Sequence, residues 1–402
     1  MTSAAEITAA VRQLYNTYPF PPEPILDEPP PGYNWRWSWP AAYSFCTGRY
    51  PSRLDVAILD AGCGTGVGTE YLAHLNPHAQ VMAIDLSEGA LEIAQERCRR
   101  SRAHNVQFQH RSLYDVAHLG QTFDMINCVG VLHHLPDPAR GIQALANVLA
   151  PGGILHVFVY GELGRWEIKL MQRAIALLQG SDRSNYPQGV AIGRQIFAAL
   201  PEGNRLKKRE QERWSLDNQR DECFADMYVH PQEIDYTIAS LFELIVASGL
   251  EFVGFSNPRL WQLERLLGTQ PDLLARAQHL SPLEQYQLIE ALDPEAMTHY
   301  EFFLAKPPLV RQDWSADAQV LAAIPYRHPC LDGWPGGCVF NCHYDVIYLN
   351  AAEQQFLAAA NGQATVADLL AQQPEVSLEQ VRSLLERQLI LLAPGGASWP
   401  TY

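Results

Sequence analysis

Two groups of residues in this 402-residue chain have the types and the spacing to do chemistry. The first is Asp60-Ala61-Gly62-Cys63-Gly64-Thr65-Gly66-Val67-Gly68, an acid followed by a glycine at every second position from 62. Such a turn lets backbone approach a ligand closely. A triphosphate cradle needs G-x-x-x-x-G-K-[ST], and this turn has no lysine. A dinucleotide turn needs G-x-G-x-x-G; counted from Gly62 the third glycine falls on Val67, and counted from Gly64 it falls on Thr69. An acid at the head of the turn suits a cationic amine and repels a pyrophosphate. The second group is His328, Cys330, Cys338, Cys342 and His343, all zinc-binding types. Its spacing, C-x7-C-x3-C-H, lacks the paired short C-x-C intervals of a closed finger. Small buried cysteines in a glycine-rich hairpin account for it, and no metal is expected.

The glycine turn must be held at the end of a strand. Apolar runs at 56–60, 81–85, 106–109, 123–129 and 154–160 alternate with helical patterns at 66–76, 87–103 and 138–150. That alternation predicts βαβ units and a mostly parallel sheet with helices on both faces. Pro151-Gly152-Gly153 reads as a turn feeding the fifth strand. LEFVGFS (250–256) and HYEFFLAKP (299–307) add two strands. The expected fold class is α/β: a Rossmann-like seven-stranded, mostly parallel sheet over 51–312, with helical insertions at 161–249 and 257–298. Residues 1–50 precede it as an amphipathic helix (4–17) and a strap. Prolines forbid regular structure across 18–40, yet Tyr18, Phe20, Tyr33, Trp35, Trp37 and Trp39 are too aromatic for a disordered linker, so the strap is expected to be ordered. Residues 313–402 hold a strand-like run (338–350) and three helical segments near 351–361, 365–372 and 377–389, the pattern of a small α+β winged-helix-like module.

Over residues 54–160 the chain resembles the class I S-adenosylmethionine-dependent methyltransferases, and over 250–307 the likeness is of strand order. DAGCGTG (60–66) matches the family's first motif. AIDLS (83–87) carries the acid that ends the second strand, FDMINCVGVLHHLPDP (123–138) matches the fourth strand and its turn, and LANVLAPGGILHVFVYGE (145–162) matches the helix, turn and fifth strand. The resemblance implies S-adenosyl-L-methionine as cofactor. It assigns the amino-acid tail to Asp60, Gly62, Cys63, Gly64 and Gly66, and the ribose to Asp85 with Leu86. Ser112 and Leu113 flank the adenine, and Asp115 is the acidic candidate where relatives often carry an acid at the position of Ser112. Val129, at the end of the fourth strand, completes the set. Gly68 lies past the motif and is assigned to helix–strand packing.

Methyl transfer is an in-line displacement, so the chain must align the nucleophile with the methyl and keep water out. A base is needed only where the nucleophile loses a proton. His133 and His134, after the fourth strand, and Tyr160, after the fifth, are the catalytic candidates; Asn127 reads as structural. Glu162, Arg165 and Trp166, which open the first insertion, and Tyr228 and His230 ahead of a helix are the substrate-facing candidates. Methyltransferases of amide or adenine nitrogens often carry Asn-Pro-Pro-aromatic after strand four; this chain has Asn127-Cys128-Val129-Gly130, which counts against an amide or base acceptor. A protein side chain is the expected acceptor, because the strap, insertions and terminal module exceed what a small-molecule enzyme of this fold needs. In size and architecture the chain is similar to the phycobiliprotein asparagine methyltransferases of cyanobacteria. The alternatives are a small hydrophobic or phenolic metabolite of quinone or polyketide type, and a non-catalytic cofactor-binding scaffold.

The net charge of −15 argues against nucleic acid as a partner. The local cluster Arg205, Lys207, Lys208, Arg209 and Arg213 reads as a solvated helix face. No apolar run reaches the roughly 18–20 residues of a membrane span. The first residues lack a basic stretch followed by an apolar one, and eight cysteines in a chain of this size suit reduced thiols, so a cytoplasmic protein is expected.

Overall fold

The computed structural model describes residues 3–180 and 182–396. Seven strands form one sheet in the order β3-β2-β1-β4-β5-β7-β6. They are β1 (Ala57–Ala61), β2 (Gln80–Asp85), β3 (Val106–His110), β4 (Phe123–Val129), β5 (Leu149–Tyr160), β6 (Glu251–Phe255) and β7 (His299–Ala305). The first five are parallel, and β7 runs antiparallel to both β5 and β6. Central parallel strands are buried on both faces, which is why they read as unbroken apolar runs. The strand order reverses between β1 and β4. In an open α/β sheet the crevice beyond the carboxyl ends of such strands is where a ligand binds.

Ahead of the sheet lie α1 (Ala4–Thr17) and α2 (Trp39–Thr47), joined by the strap; α3 (Val67–Leu75), α4 (Glu88–Arg100) and α5 (Pro138–Val148) are the crossovers. Strand β5 begins earlier than the sequence pattern predicts. Pro151-Gly152-Gly153 lies inside it as an irregularity, where the register steps from Phe123↔Leu149 to Met125↔Ile154. The first insertion holds α6 (Trp166–Gln179), α7 (Tyr186–Ala199), α8 (Arg205–Arg209) and α9 (Asp221–Tyr228), followed by α10 (Ile238–Ser248). The second holds α11 (Glu264–Leu267), α12 (Pro271–Gln278) and α13 (Pro282–Leu292). Within the basic cluster Arg205, Lys208 and Arg213 are exposed, as a solvated face requires, while Arg209 departs from it. Arg209 pairs with the buried Glu167 at 2.8 Å and with Glu295, Lys207 with Glu202 at 2.6 Å, and Arg205 lies over the Trp166 ring at 4.8 Å. A buried carboxylate demands a cation, and Arg209 turns inward to supply it.

The terminal module comprises α14 (Asp317–Ala322), β8 (Ile324–Arg327), β9 (Cys338–Phe340), β10 (Val346–Tyr348), α15 (Ala351–Ala359), α16 (Val366–Gln372), α17 (Leu378–Glu386) and β11 (Ile390–Ala393). The run 338–350 is a hairpin, not one strand, and β8 pairs with β11, a strand the pattern does not predict. Cys330 and Cys342 are buried while Cys338 is exposed, and all eight cysteines are free thiols. His328 Nδ1 instead accepts the backbone N–H of Cys330, and Cys342 Sγ meets Gln388.

The strap is ordered and pinned. Arg97 donates to the carbonyls of Thr65, Pro24 and Glu23 at 3.0, 2.8 and 2.7 Å. Trp35, 4 % exposed, packs its ring on Phe45, Phe303 and His343 at 5.0–6.0 Å, joining strap, sheet and module in one core. Trp35→Ala is expected to lower stability by about 3–5 kcal/mol in chemical denaturation. A loss below about 1 kcal/mol would show that the strap packs loosely.

Candidate active site

A cavity of about 400 Å³ opens at the carboxyl ends of β1, β2, β4 and β5. Asp60 closes its floor. Thr69 donates to one carboxylate oxygen at 2.6 Å and Asn127 to the other at 2.8 Å. No cation pairs with Asp60 among the described residues, and burial pushes its carboxyl up to about 6 despite those two hydrogen bonds. A buried acid that lacks a cation and faces a cavity fits the amine of the expected cofactor. Asp85 accepts the backbone N–H of Gly64 and of Ser87, each at 2.8 Å, and each oxygen keeps a second lone pair for a ribose hydroxyl.

Gly62, Cys63, Gly64, Leu86, Ser112, Leu113 and Val129 also line the cavity. Two expected cofactor residues do not. A Cβ on Gly66 would lie 2.6 Å from the Cβ of Ala94, so Gly66 serves the packing of the turn on α4. Gly68 lines the cavity, with Asn127 and Asp60 at ordinary contact distance. The two glycines thus exchange the roles expected of them. Asp115 is exposed on the far side of its turn, because Ser112 caps that turn and leaves Arg111 and Tyr114 to face inward. Gly64 is tight for a further reason: a Cβ there would lie 2.4 Å from the carbonyl oxygen of Phe20 in the strap.

The strap and α1 are the roof. Thr8, Val11 and Tyr15 of α1, with Phe20, Pro21 and Trp37, line the cavity, and none was foreseen as a site residue. The spacing i, i+3, i+7 of Thr8, Val11 and Tyr15 was the available signal, since it puts them on one helix face.

Beyond β4 and β5 the end wall is polar. His134 and Tyr160 line it, joined by Asp226 of α9. Tyr15 donates to Asp226 Oδ1 at 2.8 Å and Tyr160 to Oδ2 at 3.3 Å. Burial, with Asp226 beside it, holds the Tyr160 phenol protonated, so it acts as a donor and not as a base. His133 does not reach the cavity. It is fully buried, stacked on Tyr160 at 4.0 Å, with neither ring nitrogen hydrogen-bonded among the described residues; burial and the cationic side it faces hold it neutral.

The backbone of Gln232 sets two imidazoles in opposite tautomers. Its carbonyl meets His134 Nδ1 at 2.9 Å and can only accept, so His134, neutral through burial, presents an unprotonated Nε2. Its N–H donates to His230 Nδ1 at 3.1 Å, so His230 carries its proton on Nε2. The ligating atoms of His134, Asp226 and His230 lie within 4.8 Å of one another. A metal would need the Nε2 lone pair of His230, which the Gln232 contact assigns to a proton, so the donor set does not fit one.

None of the five expected substrate residues lines the cavity. His230 stacks behind His134 at 3.7 Å. Arg165 lies over the Tyr160 ring at 3.5 Å and pairs with buried Glu233 at 3.2 Å. Tyr228 is buried against Glu210, Trp166 lies beneath Arg205, and Glu162 points to solvent. They support the end wall from behind or lie away from it.

Residues 58–153 match the family described as Methyltransferase domain. An uncharacterized protein of Synechococcus sp. is 58 % identical over 393 residues, 96 % of this chain and 94 % of that protein. A phycocyanin operon protein W of Pseudanabaena tenuis is 76 % identical over 94 residues, 23 % of this chain and 89 % of its own length. In fold the chain is similar to PKMT2 from Rickettsia typhi, with a TM-score of 0.60 over 90 % of this chain and 77 % of that one, at 14 % identity; PKMT2 has also been solved in complex with AdoHcy.

Asp85→Ala is expected to weaken cofactor binding by about 1–3 kcal/mol, read by titration calorimetry. Unchanged affinity would mean that the ribose is held elsewhere. The floor acid makes binding depend on pH. Because the Asp60 carboxyl is raised to about 6, it is protonated below that pH and cannot pair with an amine. Affinity is therefore expected to rise with pH up to about 6 and level off above, and to fall up to about tenfold per pH unit below it. Asp60→Asn should flatten the profile; an equally steep profile in that variant would clear Asp60 of the role.

Proposed function

This chain belongs to the class I S-adenosylmethionine-dependent methyltransferases, and we propose that it transfers the methyl to a nitrogen on a protein side chain. The observation that carries this reading is the end wall. His134 Nε2 and the Asp226 carboxylate offer hydrogen-bond acceptors to whatever enters. A side-chain amide or amine brings N–H groups to both. A hydrophobic metabolite would leave both unpaired and a phenol with one hydroxyl would leave one, at about 1–3 kcal/mol each. The cofactor supplies an electrophilic methyl on sulfonium. The chain's own residues do the remainder: Asp60 and Asp85 anchor, the α1 and strap roof excludes water, and His134 with Asp226 orients the nitrogen and takes its proton.

The name of the Pseudanabaena relative, a phycocyanin operon protein, supports a phycobiliprotein as the partner that carries the acceptor. So does the similarity in size and architecture to the phycobiliprotein asparagine methyltransferases. The test is to incubate lysate from a strain lacking this protein with the purified chain and methyl-labelled cofactor, then separate by size. Label is expected in a phycobiliprotein band. Label only in the low-mass fraction would replace this reading with a small metabolite, and absence of label despite cofactor binding would leave a scaffold.

A further inference from the structure

Tyr15 belongs to the N-terminal helix, yet its hydroxyl reaches the acceptor end of the cavity and donates to Asp226 across 211 positions of sequence. Asp226 is 6 % exposed and has no ion pair among the described residues. A buried carboxylate stays charged only with donors on it. The Tyr15 bond at 2.8 Å is the shorter of its two, Tyr160 standing at 3.3 Å. The Tyr15 ring also closes against His134 and His230 at 6.3 and 5.6 Å. On the same helix Thr8 and Val11 roof the cavity, and Asn16 accepts the Ser87 hydroxyl at 2.7 Å, beside Asp85. One helix therefore touches both ends of the site.

We propose that Tyr15 is a positioning residue: it holds Asp226 as an anion at the acceptor end, so that this end is complete only while α1 lies closed over the cavity. The proposal rests on the family assignment and is independent of which acceptor is methylated.

Two cofactor analogues test it without an acceptor. Sinefungin carries an ammonium where the cofactor carries its methylsulfonium, and S-adenosylhomocysteine carries no charge there. An anion at the acceptor end favours the first over the second, whereas damage to the roof or the fold weakens both alike. The affinity ratio is measured by calorimetry for the full chain and for Tyr15→Phe, which keeps the ring and removes the hydroxyl. Sinefungin preference is expected to fall about tenfold in Tyr15→Phe, with S-adenosylhomocysteine affinity held within about twofold. Asp226→Asn should abolish the preference. An unchanged ratio in Tyr15→Phe, or equal weakening of both ligands, would reduce Tyr15 to a roof ring. An unchanged ratio in Asp226→Asn would remove Asp226 from the acceptor end while leaving the protein-acceptor reading to its own test.

Discussion

Asn127 stands in the middle of β4 with both ends of its amide engaged. Its Nδ2 donates to Asp60 at 2.8 Å, and its Oδ1 accepts from the Trp37 indole at 3.0 Å and from His156 Nδ1 at 2.8 Å. An indole nitrogen only donates, so the orientation of the amide has no alternative. On the other side of His156 stands Glu301, which also takes Arg36 and Ser256. Burial works to raise Glu301, but those three partners hold it down to about 2. A chain of close polar contacts thus runs from Thr69 beside the glycine turn, through β1, β4, β5 and β7, to the strap. The floor acid and the Trp37 wall of the cavity take their positions from that chain. An apolar side chain at 127 would strand the indole, the imidazole and the floor acid together, and low local dielectric makes each loss expensive.

Acids outnumber cations in the lining of the cavity, where Arg111 stands against three aspartates. Asp60, Asp85 and Asp226 all line it, and none has an ion pair among the described residues. Burial is the leading influence on all three, and it raises them. Hydrogen-bond donors from Thr69, Asn127, Gly64, Ser87 and Tyr15 offset part of that rise without neutralising the charge. The site is therefore built to be completed by a ligand with positive charge at more than one place. An amine and a sulfonium on one small molecule meet that requirement, whereas a nucleoside phosphate would add repulsion.

What was legible in the sequence is what short segments decide. The parallel strands read as apolar runs, and the acids at the ends of β1 and β2 follow from strand register. What was not legible depends on segments far apart in the chain. Gly66 and Gly68 look alike in the turn, and only the approach of Ala94 separates packing from lining. Asp115 is one residue from a lining position, and the cap at Ser112 turns it away. His133 and His134 are neighbours, but a 3-10 turn sends one into the core and the other to the cavity. Asp226 and Tyr15 meet across most of the chain, and no local pattern encodes that contact. In the α8 cluster Arg209 departs from the solvated face for the same reason: its partner Glu167 lies in α6.

The terminal module is bound to the site through the strap. Tyr33 stacks on Tyr344 at 4.6 Å and donates to the carbonyl of Asn341, while the Tyr344 hydroxyl donates back to the carbonyl of Tyr33. His343 abuts Trp35, and Cys330 and Cys342 enter the core that Trp35 and Trp39 share with the sheet. Two residues along from Trp35, Trp37 lines the cavity and grips Asn127. The hairpin therefore acts on the floor acid through two short links, strap to indole and indole to amide. A strap so rich in proline has no ladder of its own to hold it. Its order comes from what packs on it: Arg97 of α4 and Phe303 of β7, together with Tyr344 and His343 of the module. The module is thus part of the machinery that keeps the cofactor cavity closed, whatever else it binds.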